Sequence, residues 1–290
     1  MGIKLREKII ERMLVGAAST SILIVILIFL FLGKEAVPFI SEPGLSALWK
    51  TRWVPVSFIA ETYGIIPLII GSVLVTLIAT VFMIPFGVLG AIYVAEIATP
   101  KENEFLKPFI EILAGIPSVV IGFFGLVVLS PIIKNIFGLN TGLTAFAGAL
   151  LLALMAIPTV ISISEDAIHS VPQNYKEASL ALGANRLQTI WRVIVPAALP
   201  GIIASIMLGM GRVIGETMVV LMVTGNAAKI TLNPFDSVRT MTATIAAEMG
   251  EVAFGSAHYQ ALFWVGLALL LITFILNMVA RKVLKKYQMR

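Results

Sequence analysis

The segment SEDAIHSVPQNYKEASLALGANRLQTIWRVIVPAALP, residues 164–200, interrupts a sequence that is otherwise largely apolar. Two helix-start signals lie in it: Asn174 stands three residues before Glu177, and Asn185 three before Gln188. Each Asn side chain can accept a hydrogen bond from the first helical turn while the acid or amide reaches back. The segment therefore predicts two short helices, with an ordinary amphipathic loop as the alternative.

Gly183 lies between these two predicted helices. A glycine there can adopt the left-handed conformation that ends one helix and lets the chain turn sharply into the next. Two capped helices in a loop between apolar segments indicate a docking element.

The composition indicates an all-α, polytopic membrane protein. Of 290 residues, 59% are hydrophobic and 13% charged, and the mean hydropathy is +1.00. The net charge of +5 does not indicate nucleic acid, because Lys and Arg lie mainly at the termini and in polar loops. The absence of cysteine excludes disulfides, thiolate metal sites and cysteine nucleophiles. His169 and His258 have no metal-ligand spacing, so we predict no metal site and treat both as solvated loop residues.

Six apolar segments are predicted to cross a membrane. The first is too long for a signal peptide and is followed by no small-residue cleavage site, so we predict an uncleaved span. Three regions follow: residues 1–63 with the basic N-terminus, first span and outer loop; 64–280 with the five-helix core and the loop 164–200; and 281–290, a basic tail. The predicted spans are 13–32, 64–95, 108–133, 143–163, 201–223 and 259–280.

The distribution of basic residues predicts which loops face the cytoplasm. Of the 21 Lys and Arg residues, 14 lie in the termini and in the two loops on their side, and 6 lie in the opposite loops. This bias predicts cytoplasmic N- and C-termini and places residues 164–200 in the cytoplasm. We expect Trp49, Trp53 and Tyr63 at the outer membrane interface.

The fifth predicted span contains the deepest charges, Arg212 and Glu216. Residues four apart share one face of a helix, so the two are expected to pair. Charges at membrane depth are costly and normally face a bundle interior or a water-filled path. A structural salt bridge between spans is the alternative.

Glycine and proline residues interrupt the third and fifth predicted spans. Gly211 and Gly215 form a GxxxG that favours an assembly face. Gly115, Pro117 and Gly122 predict a kink, with a broken helix that aims backbone groups at an anion as the alternative. Glu111 is expected to be an interfacial charge.

The polar segment resembles the EAA loop of ABC importer permeases of the MetI-like family, whose pattern is EAA, three residues, G, nine residues, I-x-L-P. The matching residues are Glu177, Ala178, Ser179, Gly183, Val193, Val195 and Pro196, where Ser179 replaces the second alanine and the two valines replace Ile and Leu. The resemblance implies a coupling helix pair that fits a separate cytoplasmic ATPase, which would bind ATP and Mg. This chain has no GxxxxGK[ST] motif, so it is expected to be a translocation subunit without a cofactor, not an enzyme.

A narrower resemblance covers the chain from about residue 64 onward. GRVIGETMVVLMVTGN (211–226), EILAGIPSVVIGFFG (111–125) and the run 165–201 are similar to the PstC-type permeases of phosphate ABC importers. The resemblance implies six spans, alternating access and substrate-pathway roles for Arg212 and Glu216. It also implies a second, related permease, two ATPase subunits and an external phosphate-binding protein. On charge alone, Arg212 can meet the anion transiently while Glu216 holds or releases it.

Other functions stay open at this point. Arg212 cannot by itself distinguish phosphate from molybdate, tungstate or sulfate. A secondary transporter or channel needs no docking loop, and many such folds contain inverted repeats, whereas no internal repeat is apparent here. A sensor or scaffold role would have to act through partners, because the sequence has no signalling domain.

Overall fold

The computed structural model describes residues 2–288, and most of this backbone is helical. The α-helices within that range are α1 (Gly2–Ala36), α2 (Ile66–Ile92), α3 (Pro100–Gly115), α4 (Ser118–Phe124), α5 (Ser130–Phe137), α6 (Ala145–His169), α7 (Gln173–Ala181), α8 (Arg186–Thr189), α9 (Val195–Gly215), α10 (Met218–Val223), α11 (Met241–Glu248) and α12 (Ala257–Gln288). Short π-helices occupy Tyr93–Ile97, Gly125–Leu129 and Ile190–Ile194, and 3-10 turns occupy Val37–Ile40 and Leu45–Trp49. Strands β1 (Trp53–Val54) and β2 (Thr62–Tyr63) form an antiparallel pair. Of the predicted basic tail, residues 289 and 290 lie outside the described range.

Six helical segments of the described chain are long and apolar enough to cross a membrane, which confirms the predicted all-α architecture. They are Glu7–Ile40, Ile66–Ile97, Ser118–Phe137, Ala145–His169, Arg186–Gly215 and Ala257–Val283. The fourth is the most buried, and the first has none of its apolar window buried. The exposed apolar surface of α1 suits contact with lipid. Within the described residues α1 packs along α12, where Trp264 Nε1 donates to the Ala36 carbonyl at 2.8 Å.

Three apolar clusters follow the length of the bundle. The middle cluster joins α2, α6 and α9 at close range: a Cβ added to Gly87 would lie 2.7 Å from Val160, and one added to Gly209 would lie 2.7 Å from the Met83 sulfur. A second cluster defines what we call the coupling end of the bundle, and it includes Ala91, Ile92, Val94, Ile168, Ile190, Ile194 and Ile202. A third cluster defines the cap end, and it includes Phe39, Leu48, Trp53, Tyr63, Leu68, Met241 and Leu262.

The third span was predicted to begin at Pro108, and this is wrong. Residues up to Gly115 form the separate, largely exposed helix α3, and the apolar span begins at Ser118. The reason is Pro117: its ring disfavours a helical residue before it, and Ile116 is extended with ψ 127°. The element is thus a break between two helices and not the predicted kink.

The fifth span was predicted over 201–223, and these bounds are also wrong. The helical segment begins at Arg186, inside the polar loop, and runs without interruption to Gly215. Glu216 then leaves the helix with ψ 135°, and α10 follows as a separate short helix.

The aromatics expected at the outer interface divide into two groups. Trp49 is exposed, whereas Trp53 and Tyr63 are each 4% exposed in the cap-end cluster. The expectation is therefore wrong for Trp53 and Tyr63, which are buried within the protein and do not lie at the membrane interface.

Candidate translocation and coupling sites

The two short helices predicted in residues 164–200 are α7 and α8. Asn185 and Gln188 form the predicted capping box, with Gln188 N to Asn185 Oδ1 at 2.8 Å and Asn185 N to Gln188 Oε1 at 2.9 Å. Gly183 has φ +86°, the left-handed conformation that the turn requires. The predicted cap at Asn174 is wrong, because α7 begins one residue earlier, after Pro172, and Asn174 already lies inside its first turn.

The EAA pattern begins on α7, continues through the turn at Gly183, and ends at Pro196 in α9. Glu177, Ala178, Gly183 and Pro196 are exposed. Ser179 is half-buried, and its Oγ lies 2.9 Å from Thr189 Oγ1, so it joins α7 to α8. A shallow groove of about 410 Å³ opens between the helices. Its lining includes Tyr175, Ala178, Ser179, Leu182, Gln188 and Arg192.

Arg212 and Glu216 do not form the predicted pair. Arg212 is in the last turn of α9, while Glu216 lies beyond the helix end, so the two do not share a helix face. Among residues 2–288, no carboxylate lies within salt-bridge distance of Arg212. Its Nη1 donates to Thr159 Oγ1 at 3.1 Å, and its Nη2 lies 3.5 Å from the Ala114 carbonyl, at the outer limit of a hydrogen bond. The half-buried guanidinium thus contacts neutral acceptors on α6 and on the last turn of α3.

Glu216 caps the short helix that follows it. Its Oε1 accepts from Met218 N at 3.0 Å and from Val219 N at 3.4 Å. The adjacent cavity is only about 10 Å³, room for about one water. This cavity is therefore too small for an oxyanion. The residues that line this cavity include four with hydroxyl groups: Ser72, Thr76, Thr240 and Thr242.

The glycines of the GxxxG motif face open space. Beyond its chain neighbours and the backbone of its own helix, a Cβ added to Gly211 or Gly215 would meet no atom of the described residues within 4 Å. Gly209, by contrast, packs against α2 and α6. Glu111 is exposed on α3 and is not part of the Arg212 site.

A polar cluster at the cap end was not predicted. The Glu248 carboxylate accepts from Trp53 Nε1 at 3.0 Å, lies 2.8 Å from His258 Nε2, and is ion-paired with Arg239. Burial raises the pKa of the Glu248 carboxyl, but the His258 hydrogen bond, the Arg239 charge and the Trp53 hydrogen bond outweigh burial and lower the pKa overall. His258 is thus a half-buried partner of Glu248 and not the solvated loop residue that we expected.

Two ion pairs at the coupling end were also not predicted. Lys107 Nζ of α3 lies 2.7 Å from Glu165 Oε1 of α6, and the hydrogen bond to Glu165 raises the pKa of Lys107. His169, half-exposed, lies 3.4 Å from the same oxygen. Lys176 of α7 pairs with Glu96 at the end of the second span. The one sequence signal for Glu96 is its position as the first charge after the uncharged run 64–95.

Comparisons with known proteins were made on both sequence and structure. Residues 83–287 match the family described as "Binding-protein-dependent transport system inner membrane component". The "Probable ABC transporter permease protein YqgH" of Bacillus subtilis is 38% identical over 279 residues, covering 95% of this chain and 90% of that protein. The "Phosphate transport system permease protein PstC" of Mesorhizobium japonicum is 33% identical over 291 residues, covering 91% and 88%.

Solved structures share the fold at low identity. A bacterial alginate ABC transporter in complex with a pentasaccharide-bound periplasmic protein has a chain that aligns with TM-score 0.63 and 16% identity, over 94% of this chain and 95% of that one. The MetNI methionine ABC transporter, in inward-facing conformations, aligns with TM-score 0.60 and 18% identity, over 75% and 93%. At such identity these two structures support the fold alone.

Proposed function

The chain belongs to the family of binding-protein-dependent transport system inner membrane components, and from this premise we propose that it carries inorganic phosphate. It is a multi-pass permease subunit of an ABC importer, a translocation component and not an enzyme. The phosphate assignment is supported by several relatives named as PstC phosphate permeases at 29 to 33% identity over most of the chain. YqgH, which is 38% identical, is named without a substrate.

One structural observation carries the proposed anion path: the half-buried Arg212 guanidinium has no carboxylate partner within the described residues and contacts only Thr159 and the Ala114 carbonyl. A cation at membrane depth that is not neutralised attracts an anion, and a planar guanidinium can hold two oxygens of a tetrahedral oxyanion. Glu216 lies one residue beyond the end of the same helix. In the proposal, the Glu216 carboxylate repels the anion and keeps its binding weak enough for release.

The proposed assembly follows the family. The groove between α7 and α8 receives one of two separate ATPase subunits, which bind ATP and Mg. An external phosphate-binding protein delivers the substrate. The open face at Gly211 and Gly215 packs against a second, related permease, because small residues let two helix backbones approach closely. Alternating access then exposes Arg212 to each side in turn.

Substrate identity is tested by uptake into vesicles that contain the reconstituted complex. We expect ATP-dependent uptake of [32P]phosphate that excess molybdate, tungstate or sulfate does not suppress. If one of these anions suppresses phosphate uptake and is itself taken up in an ATP-dependent way, that anion and not phosphate is the substrate. Uptake that continues without the ATPase subunits would instead support a secondary transporter or channel.

The proposed orientation places both termini and the coupling end in the cytoplasm. Because the chain contains no cysteine, single cysteines report on sidedness without background. We expect a membrane-impermeant maleimide to label E251C in intact cells and to label E104C, on the coupling-end helix α3, only after permeabilisation. Both positions are exposed in this structure. The reverse pattern would invert the topology.

A further inference from the structure

Both coupling helices contact one residue of another element, Glu96. Lys176 of α7 donates through Nζ to Glu96 Oε1, and Arg186 of α8 donates through Nη2 to the Glu96 backbone carbonyl. The Glu96 side chain is 9% exposed and that of Lys176 is 20% exposed. The ion pair is therefore largely removed from water, where loss of one partner is costly.

Glu96 lies at the corner where the second span turns into α3. The corner is held by local contacts: Ala98 N donates to the Tyr93 carbonyl at 2.8 Å, and Asn103 Nδ2 donates to the Val94 carbonyl at 3.2 Å. Thr99 and Glu102 form a capping box at the start of α3. A displacement of Glu96 therefore moves the first turn of α3 with it.

The remainder of α3 connects this corner to the proposed anion path. Lys107, midway along the helix, is ion-paired with Glu165 of α6. Ala114, in the last turn, presents its carbonyl to Arg212. The described residues thus link α7 and α8, through Glu96 and α3, to the guanidinium in α9.

We propose that Glu96 is a positioning residue that transmits displacement of the coupling helices to α3 and so to Arg212. The proposal rests on the ATP-driven import function and deepens it. When the ATPase subunits move α7 and α8, the Lys176 and Arg186 contacts displace Glu96. The C-terminal end of α3 then shifts relative to Arg212. Its carbonyl contact, already long at 3.5 Å, is released, which leaves Nη2 available to the anion.

The test measures hydrogen–deuterium exchange in the complete complex in lipid nanodiscs, in phosphate-free buffer, with and without the non-hydrolysable ATP analogue AMP-PNP. In the wild type, nucleotide is expected to change exchange in both 173–189 and 100–115. E96Q keeps the size of the side chain but removes its charge. In this variant the nucleotide-dependent change in deuterium exchange should persist in the coupling helices (173–189) and shrink about tenfold in α3 (100–115). The matched control is E104Q, because Glu104 is exposed on α3 and makes no hydrogen bond or ion pair within the described range. It is expected to behave as wild type.

A charge exchange separates transmission from a merely structural contact. E96K and K176E are each expected to lose the change in 100–115, and the double variant E96K/K176E to regain at least about half of it, because the ion pair is restored with reversed polarity. The proposal is overturned if E96Q retains the full change, if it loses the ATPase subunits during purification, or if the double variant is no better than the single ones.

Failure of this proposal is distinguishable from failure of the phosphate assignment. The exchange experiment contains no transported anion, so its result stands even if the wild-type complex takes up no phosphate. Conversely, normal phosphate uptake together with an unchanged exchange pattern in E96Q would leave the assignment intact and remove Glu96 from the coupling route.

Discussion

Two half-buried arginines lie in contrasting environments. Arg239, in the segment before α11, is ion-paired with Glu248, and that carboxylate is also held by His258 and Trp53. Arg212, in α9, contacts a hydroxyl and a backbone carbonyl. The first arrangement neutralises the guanidinium and joins four segments of the cap, whereas the second leaves the positive charge available. Under our proposal, the partners of a half-buried arginine, more than its depth, determine whether it stabilises the fold or is available to an anion.

The largest expected effect is the loss of phosphate uptake in R212Q, and the variant to compare with it is R239Q. R212Q removes the cation proposed to meet the anion, so phosphate uptake falls at least about 100-fold, or about 2.7 kcal/mol of lost stabilisation, while the complex still assembles. R239Q leaves a buried carboxylate with less compensation, so it lowers the melting temperature. The control is R281Q, at an exposed position of α12. Normal uptake by assembled R212Q would end the pathway role of Arg212.

The second prediction concerns the carboxylate of the cap. E248Q is expected to destabilise the cap by about 2 kcal/mol, because the charge-assisted contacts with Arg239 and His258 are weakened. Thermal unfolding of the detergent-solubilised protein measures this loss. The control is E251Q, because Glu251 is exposed and lines one surface cavity together with Glu248, and this variant is expected to melt as wild type. Equal melting of E248Q and E251Q would show that the network contributes no stability.

The pH dependence of the same contact has a defined sign. The pKa of Glu248 is lower in the folded cap than in the unfolded chain, so the folded state binds fewer protons there. Its stabilisation is present above the unfolded pKa of about 4.3 and is lost as the pH falls through the lower folded value. The difference in melting temperature between wild type and E248Q should shrink below about pH 4 and should not shrink between about pH 8 and about pH 5. A difference that shrinks already between pH 8 and pH 6 would contradict this sign.

A smaller effect is expected at the hydroxyl that holds Arg212. T159V keeps the shape of the side chain but removes the acceptor, at a cost of about 1 kcal/mol or about fivefold in the KM for phosphate uptake. The maximal rate changes little, because the guanidinium itself remains. The matched control is T273V, since Thr273 donates within its own helix α12 and is remote in sequence from α9. An unchanged KM in T159V would show that Thr159 does not position Arg212.

The smallest effect distinguishes the two asparagines of the coupling loop. N185A removes a cap that is present and should weaken α8 by about 1 kcal/mol, whereas N174A removes a side chain that caps nothing. Co-purification of the ATPase under increasing salt should therefore decline earlier for N185A than for N174A. Equal decline would show that the capping box has no influence on docking.

Hydropathy was sufficient to predict six spans, and capping chemistry predicted α8 and the left-handed Gly183, because these depend on residues close in sequence. The break at Pro117 also had a local signal, since a residue before proline disfavours helix. The end of α9 at Gly215 was not predicted from such a signal. Because Arg212 and Glu216 are four positions apart, we assumed that one continuous helix carries both, and this assumption produced the wrong pair.

The contacts that organise both ends could not be predicted because they join distant residues. Lys176 and Glu96 are 80 positions apart, and Trp53 and Glu248 are 195 apart. Arg212 and Ala114 are separated by 98 positions. Only the tertiary packing of distant elements brings such groups together, and no periodicity within one helix encodes which partner each will meet.

The central claim is that Arg212, held by Thr159, exchanges the Ala114 carbonyl for the transported anion. A high-resolution structure of the complete complex, trapped with phosphate and with a non-hydrolysable ATP analogue on the ATPase subunits, measures this exchange directly. We predict a phosphate oxygen about 2.8 Å from the Arg212 guanidinium, with the Ala114 carbonyl withdrawn from it. A phosphate bound elsewhere in the pathway, with Arg212 still held by Thr159 and Ala114, would contradict the claim.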